Sequence, residues 1–212
     1  TAKLAITLTD KSAVGVGGLV VSSATGVSQL FLVMVDDLPA TTDGGKNNTA
    51  GTAQGVDQPT NIIGTSSGTT HDYYSFQAKA GELISFDVYA SRIGSSMDPV
   101  LRLLTAVGNE LAYADDSDGL NTDCRFRHQF VTAGTYIIEV ADSGYKSGQP
   151  YALRIGNFPN VTTAFPLGIQ QGVEATVGFT GPSRDEAQVS SIYENGNAAG
   201  TLMAVSARTA NS

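Results

Sequence analysis

The chain has 212 residues, including 24 Gly, with 12 Lys and Arg against 20 Asp and Glu, for a formal net charge of -8. That balance excludes the basic footprint of a nucleic-acid binder and is repelled by anionic membrane surfaces. A single cysteine, Cys124, excludes an intrachain disulfide framework, and no stretch reaches the ~18 apolar residues of a membrane span.

Few Lys, Arg and Glu beside many Val, Thr and Ser lean the composition towards an all-β fold with Gly at the turns. Thr1 is not a natural start, so the chain reads as trimmed or matured. Residues 1–38 read as three short strands, at 3–9, 15–22 and 29–35. The last is an apolar run, Leu30 to Val35, without polar alternation, which predicts burial on both faces or a covered edge. Residues 39–70 turn to Thr, Gly, Asn and Ser and read as a linker and a long loop, interrupted by Asn61-Ile62-Ile63. Residues 71–157 carry turn signals every 8–12 residues, the pattern of an antiparallel β-sandwich or jelly roll. Its expected core is Phe76, Phe86, Leu101, Leu103, Phe126, Phe130, Tyr136, Ile138 and Leu153. Residues 158–212 hold one strand near 174–180 and two weaker ones near 187–193 and 201–207. No segment has a helical period.

Gly64-Thr65-Ser66-Ser67-Gly68 spells G-x-S-x-G, but the nucleophile elbow needs a strand before it and a helix after it, and here a strand follows. The two histidines read as structural: His128 shares a strand face with Phe126 and Phe130, and His71 opens a strand beside Asp72. Cys124 reads as a small buried thiol. No catalytic residue is expected. One Cys and two His cannot close a zinc site, whereas calcium takes six to eight hard oxygens. Two stretches offer these: Asp43, Asn47 and Asn48 with Asp72, and the acidic loop Asp115, Asp116, Asp118 and Asp123. Tyr73, Tyr113 and Tyr145 are candidates for a ligand-contacting surface, since exposed aromatics stack on sugars and matrix proteins.

The run His71-Asp72-Tyr73-Tyr74-Ser75-Phe76 followed by Ala80-Gly81-Glu82 resembles the opening of a bacterial pre-peptidase C-terminal (PPC) domain. Gly94-Ser95-Ser96-Met97-Asp98-Pro99, Ala114-Asp115-Asp116, Ala133-Gly134-Thr135-Tyr136 and Tyr151-Ala152-Leu153-Arg154-Ile155 resemble later motifs of that family, in order. The likeness runs from about residue 43 to 157. The flanks, Val27 to Pro39 and Phe165-Pro166-Leu167-Gly168 onward, resemble the closing and opening strands of Ig-like modules, as in exported planctomycete-type proteins.

The resemblance implies a PPC β-sandwich over 71–157, closing Ig-like strands over 1–38 and opening ones over 158–212. The unpaired edges and apolar faces that each half would leave point to the two ends co-folding into a second β-sandwich; the competing reading is that they are halves of two separate modules. It implies a secreted or cell-envelope accessory module serving export, spacing or adhesion within a larger exported protein. The alternative is a carbohydrate- or protein-matrix-binding module supported by calcium. It also aligns Asp43 to Asn48 with an acidic calcium-binding linker, with Gly45 and Thr69 standing where relatives carry acidic residues. No nucleic acid and no membrane insertion are expected.

Overall fold

The computed structural model describes residues 5–8, 12, 14–166, 168, 170, 178–182, 187–192 and 205–209, the last two stretches by their backbone alone. The strands are β1 (Gly15–Leu19), β2 (Ser22–Ser23), β3 (Gly26–Val27), β4 (Phe31–Val35), β5 (Ala40–Thr42), β6 (Gln54–Gly55), β7 (Thr60–Ser67), β8 (Asp72–Ala78) and β9 (Leu83–Tyr89). They continue as β10 (Pro99–Thr105), β11 (Glu110–Ala114), β12 (Arg125–Gln129), β13 (Gly134–Asp142), β14 (Ser147–Gly156), β15 (Ala164–Phe165), β16 (Gly178–Phe179), β17 (Ala187–Ile192) and β18 (Val205–Thr209). Two 3-10 turns, Ala50–Thr52 and Ser91–Ile93, are the only helical elements among the described residues.

Two five-stranded sheets face each other. The first runs β11-β10-β13-β8-β6 and the second β12-β9-β14-β7-β5. All pairings are antiparallel except at two edges, where β5 lies parallel to β7 and β6 parallel to β8. Period-two alternation sends one side-chain set from each sheet inward. Tyr74, Phe76, Leu101, Leu103 and Ile138 meet Ile62, Ile84, Phe86, Val88 and Leu153 in one core. At its centre the Phe76 ring packs 5.5 Å from Phe86 and edge-on to Phe130 at 5.9 Å, geometries that suit the ring quadrupole. Every expected core residue is buried except Phe126, which is partly buried against the cluster.

Residues 39–70 are not a linker. They supply β5, β6 and β7, and β7 lies between β14 and β5 inside the second sheet. The inward positions of β7 include Gly64 and Ser66, residue types that read as loop. The packing requires them: a Cβ on Gly64 would meet the Tyr151 ring at 2.5 Å. The Ser66 hydroxyl donates to the Lys146 carbonyl at 2.6 Å.

The apolar run before Val35 is exposed rather than covered, with Leu30 at 59% and Phe31 at 45%. β1 and β4 form a two-stranded sheet of their own, which supplies no second layer. Residues 5–8 carry no strand, and the rest of the expected strand over 3–9 lies outside the described residues. Towards the other end, β15–β16 and β17–β18 are likewise separate ladders, and most of the expected strand near 174–180 lies outside the described residues. No ladder among the described residues joins the two ends.

Candidate functional site

Of the first set of proposed calcium ligands, the fold brings Asp43, Asn47 and Asp72 into one neighbourhood. β8 places Asp72 at its first position, pointing inward at 2% exposure. Asn47 is stapled to the next residue by main chain and side chain: Tyr73 N–H donates to the Asn47 carbonyl at 2.9 Å, and Asn47 Nδ2 donates to the Tyr73 carbonyl at 3.2 Å. Asp43 leaves the end of β5 with its N–H on the Ile63 carbonyl at 2.9 Å. Asn48 points away; it is exposed, and its amide donates to Thr70 Oγ1 at 3.1 Å.

Two oxygens in this neighbourhood lack a partner. Asp43 Oδ1 and Asn47 Oδ1 are both buried without a hydrogen bond. Leaving such acceptors unmade is costly. Burial holds the Asp72 carboxyl above its ordinary range; the Tyr151 hydroxyl opposes this, and the negative charge of Asp43 adds to it.

Two tyrosines that the sequence did not place beside Asp72 also belong to this neighbourhood. Tyr151 donates its hydroxyl to Asp72 Oδ2 at 2.9 Å, and Tyr74 and Tyr151 share a hydrogen bond at 2.5 Å. Both rings are fully buried. Their signal was present in the alternation of β8 and β14, which turns these two positions inward.

The second proposed set is divided. Asp115 and Asp116 come together with Asp98, their ligand oxygens all within 4.8 Å of one another. Asp98 precedes β10 and was not among the candidates. Asp118 is exposed and lies outside this group. Asp123 is no ligand candidate: it is fully buried and accepts the main-chain N–H groups of Ala90, Ser91 and Arg92, at 3.0, 2.6 and 3.2 Å, and Arg92 Nε at 2.7 Å. It caps the turn Ser91–Ile93 and holds an arginine, a structural task that sequence spacing does not distinguish from ligation.

The tyrosines are also split. Register pairs Tyr113 with Arg102, Arg102 with Glu139, and Glu139 with Tyr73, one transverse row across β11, β10, β13 and β8. The row lies on the face of the first sheet away from the core. His71 pairs with Glu139 through Nδ1 and stacks at 6.3 Å on Tyr73, and Tyr113 donates to Asp115 Oδ2 at 3.1 Å. Tyr145 sits apart, 67% exposed at a left-handed position (φ 54°) in the turn between β13 and β14.

The hydrolase parts stay separate. Ser66 Oγ is occupied by the Lys146 carbonyl and the Gln149 N–H. His128 packs edge-on against Phe130 at 4.8 Å, and burial lowers its pKa. Cys124 is buried with its thiol on the Pro99 carbonyl, and burial pushes its pKa well up, so it stays a thiol.

Residues 70–142 match the family model for the bacterial pre-peptidase C-terminal domain. The chain is 42% identical over 71 residues to a probable subtilase-type serine protease of Deinococcus radiodurans, a stretch that is 33% of this chain and 10% of that protease. Among solved structures it is similar to the pre-peptidase C-terminal domain of a Bacillus anthracis collagenase, at 19% identity and a TM-score of 0.40 over 49% of this chain and 93% of that one. It is also similar to the Aeromonas hydrophila periplasmic inhibitor of g-type lysozyme, at 16% identity and a TM-score of 0.37 over 49% of this chain and 95% of that one. No helix among the described residues is long and apolar enough to cross a membrane.

Proposed function

We propose, on the premise that residues 70–142 form a bacterial pre-peptidase C-terminal domain, that this chain is a non-catalytic accessory module of a larger extracytoplasmic protein, with a calcium ion held by Asp43, Asn47 and Asp72. The observation that carries the cation reading is the pair of buried, unpartnered oxygens, Asp43 Oδ1 and Asn47 Oδ1, beside the buried Asp72 carboxyl. Three side chains supply part of a six-to-eight-oxygen shell, leaving the rest to main-chain carbonyls and water. With Gly45 and Thr69 at the positions that are acidic in relatives, affinity falls at the weak end, about 10⁻⁴–10⁻³ M, the range of extracellular modules.

The cation would tie the segment leaving β5 to the start of β8, stiffening the entry into the sandwich. A ligand that binds only the folded state stabilises it; at 10 mM calcium and a dissociation constant near 1 mM the gain is about 1.4 kcal/mol. The melting temperature should therefore rise with calcium in the millimolar range and fall back on chelation. A melting temperature unmoved by 10 mM calcium would rule the site out. The occupied hydroxyl of Ser66 and the separate packing of His71 and His128 support the non-catalytic reading. It is tested by assaying the chain for esterase and peptidase turnover, with Ser66→Ala as control.

A second reading rests on the Tyr113–Arg102–Glu139–Tyr73 row, which gives the outer face of the first sheet two aromatics flanking two charged residues, Arg102 on Glu110 and Glu139 on His71. Such a strip suits a polysaccharide or an extended matrix protein. It holds two of the three candidate tyrosines, so we rank it behind the accessory role. Sedimentation with insoluble polysaccharide or collagen, lost on Tyr113→Ala, is its test.

A further inference from the structure

The face of the second sheet away from the core is crossed by a polar row. Asn61 on β7 pairs in register with Arg154 on β14, Arg154 with Asp87 on β9, and Asp87 with Arg125 on β12. Neighbours such as Ile62, Leu153, Phe86 and Phe126 face the core, so the row faces outward. Yet Asn61, Asp87 and Arg125 are 4%, 3% and 8% exposed. An outward row of charges is buried only if something lies on it.

The segments that enter and leave the sandwich both lie on it. From the N-terminal side, Arg154 grips the Asp36 carboxylate with two bonds, Nε to Oδ2 at 2.8 Å and Nη2 to Oδ1 at 3.0 Å. The Asn61 side-chain amide meets Met34 Sδ at 4.0 Å, and the Asn61 N–H, donating to the Pro39 carbonyl at 2.8 Å, prolongs the β5–β7 ladder beneath. From the C-terminal side, the Arg154 guanidinium lies 4.3 Å from the centroid of the Phe158 ring. Arg125 donates to the Val161 carbonyl and to Thr162 Oγ1, both at 2.6 Å, and Ser85 to the Phe158 carbonyl at 2.6 Å. The turn Ser91–Ile93 closes the middle, with Arg92 on Asp87. Arg92, Arg125 and Arg154 thus face Asp36, Asp37, Asp87 and Asp123.

We propose that this row is an intramolecular docking seam, that residues 34–39 and 158–162 seat on it together, and that Arg154 is the positioning residue that couples them. Its guanidinium has two faces of use: the edge forks onto a carboxylate and the plane stacks on an aromatic ring, a combination lysine lacks. Asp36 fixes the edge and thereby the plane that Phe158 meets. The sandwich then returns the chain to the side where it entered and holds the β1–β4 sheet and the β15–β16 ladder on one side, as a bracket rather than a spacer in line. The inference does not depend on calcium or on the absence of catalysis.

Hydrogen exchange on the whole chain tests it. Arg154→Met keeps the packed stem and removes the fork. It should speed exchange at both 34–39 and 158–162 by roughly tenfold, the effect of losing a charge-assisted bond pair, while β8, β10 and β13 stay protected. The decisive readout is cross-talk. Asp36→Asn should loosen residues 158–162, and Phe158→Leu should loosen 34–39, with the double variant no looser than the Arg154→Met chain. If each single variant loosens only its own flank, Arg154 does not couple them and the proposal fails. That comparison needs only the two conservative variants, so it stands even if Arg154→Met does not fold.

Discussion

The Tyr151 hydroxyl donates to Asp72 Oδ2, and this bond sets the direction of the protons behind it. Having spent its one hydrogen on Asp72, Tyr151 accepts from Tyr74. The buried chain Tyr74–Tyr151–Asp72 therefore carries every proton towards the carboxylate. Ser67 Oγ donates to the other carboxylate oxygen at 3.1 Å.

Asp72→Asn should raise the melting temperature in chelator and abolish its response to calcium. An amide accepts from Tyr151 and donates to Ser67, so the bonds survive while the buried charge goes. The sign follows from the raised pKa. The folded state holds this proton more tightly, so the stabilisation is complete below the unfolded value near 3.9 and is lost as pH rises through the folded pKa. Melting curves of both chains from pH 3 to 7 in EDTA check this; the two should converge in acid and separate towards neutrality.

Tyr151→Phe removes the donor to Asp72 and the acceptor of Tyr74 together. Two buried polar groups are left unmade, at about 1–3 kcal/mol each. Urea denaturation should show a loss of about 2–6 kcal/mol, with Tyr74→Phe milder because it leaves only the Tyr151 oxygen without its donor.

Asp123→Ala should be the severe member of a contrasting pair. It orphans three main-chain N–H groups and leaves Arg92 with one of its two carboxylates, a loss of about 3–5 kcal/mol. Asp118→Ala, on the exposed side of the same loop, should stay within about 0.5 kcal/mol. Equal effects in denaturant would remove Asp123 from the structural role assigned above.

His128 supplies a pH dependence of the opposite sense to Asp72. Burial lowers its folded pKa, so the unfolded chain takes up protons first as pH falls below about 6.5. Stability should decline from there until the folded pKa is passed, and His128→Phe should flatten that slope in melts between pH 7 and 5.

The sandwich was legible because its strands alternate large and polar residues: Phe76, Phe86 and Leu153 betray the inward face wherever they stand. β7 was hidden because two of its inward residues are Gly64 and Ser66, small where Tyr151 is large. Hydrophobicity reports the volume on one side of a contact; the volume on the other side is invisible without the register. The calcium candidates show the same limit. Asp72, Asp43 and Asn47 are close in space, but Asn48, next in sequence to Asn47, turns to Thr70. Asp123 has the residue type of a ligand and the partners of a helix cap. Nothing in the alternation around Arg154 and Asp87 tells that Asp36 and Phe158 return to cover them.

In register, Asn61 stands between Ala40, where the chain enters the second sheet, and Arg154, near where it leaves. Mechanical tension applied between neighbouring modules would thus arrive and depart at the same end of β7. The pairs Ala40–Asn61, Thr41–Ile62 and Thr42–Ile63 would open one after another, as in peeling tape, rather than resist together in shear. Once the Asp36–Arg154 fork has given way, the next element to yield is β5, which carries the chain straight into Asp43, so a pull on the N-terminal side would reach Asp43 before the core feels any load.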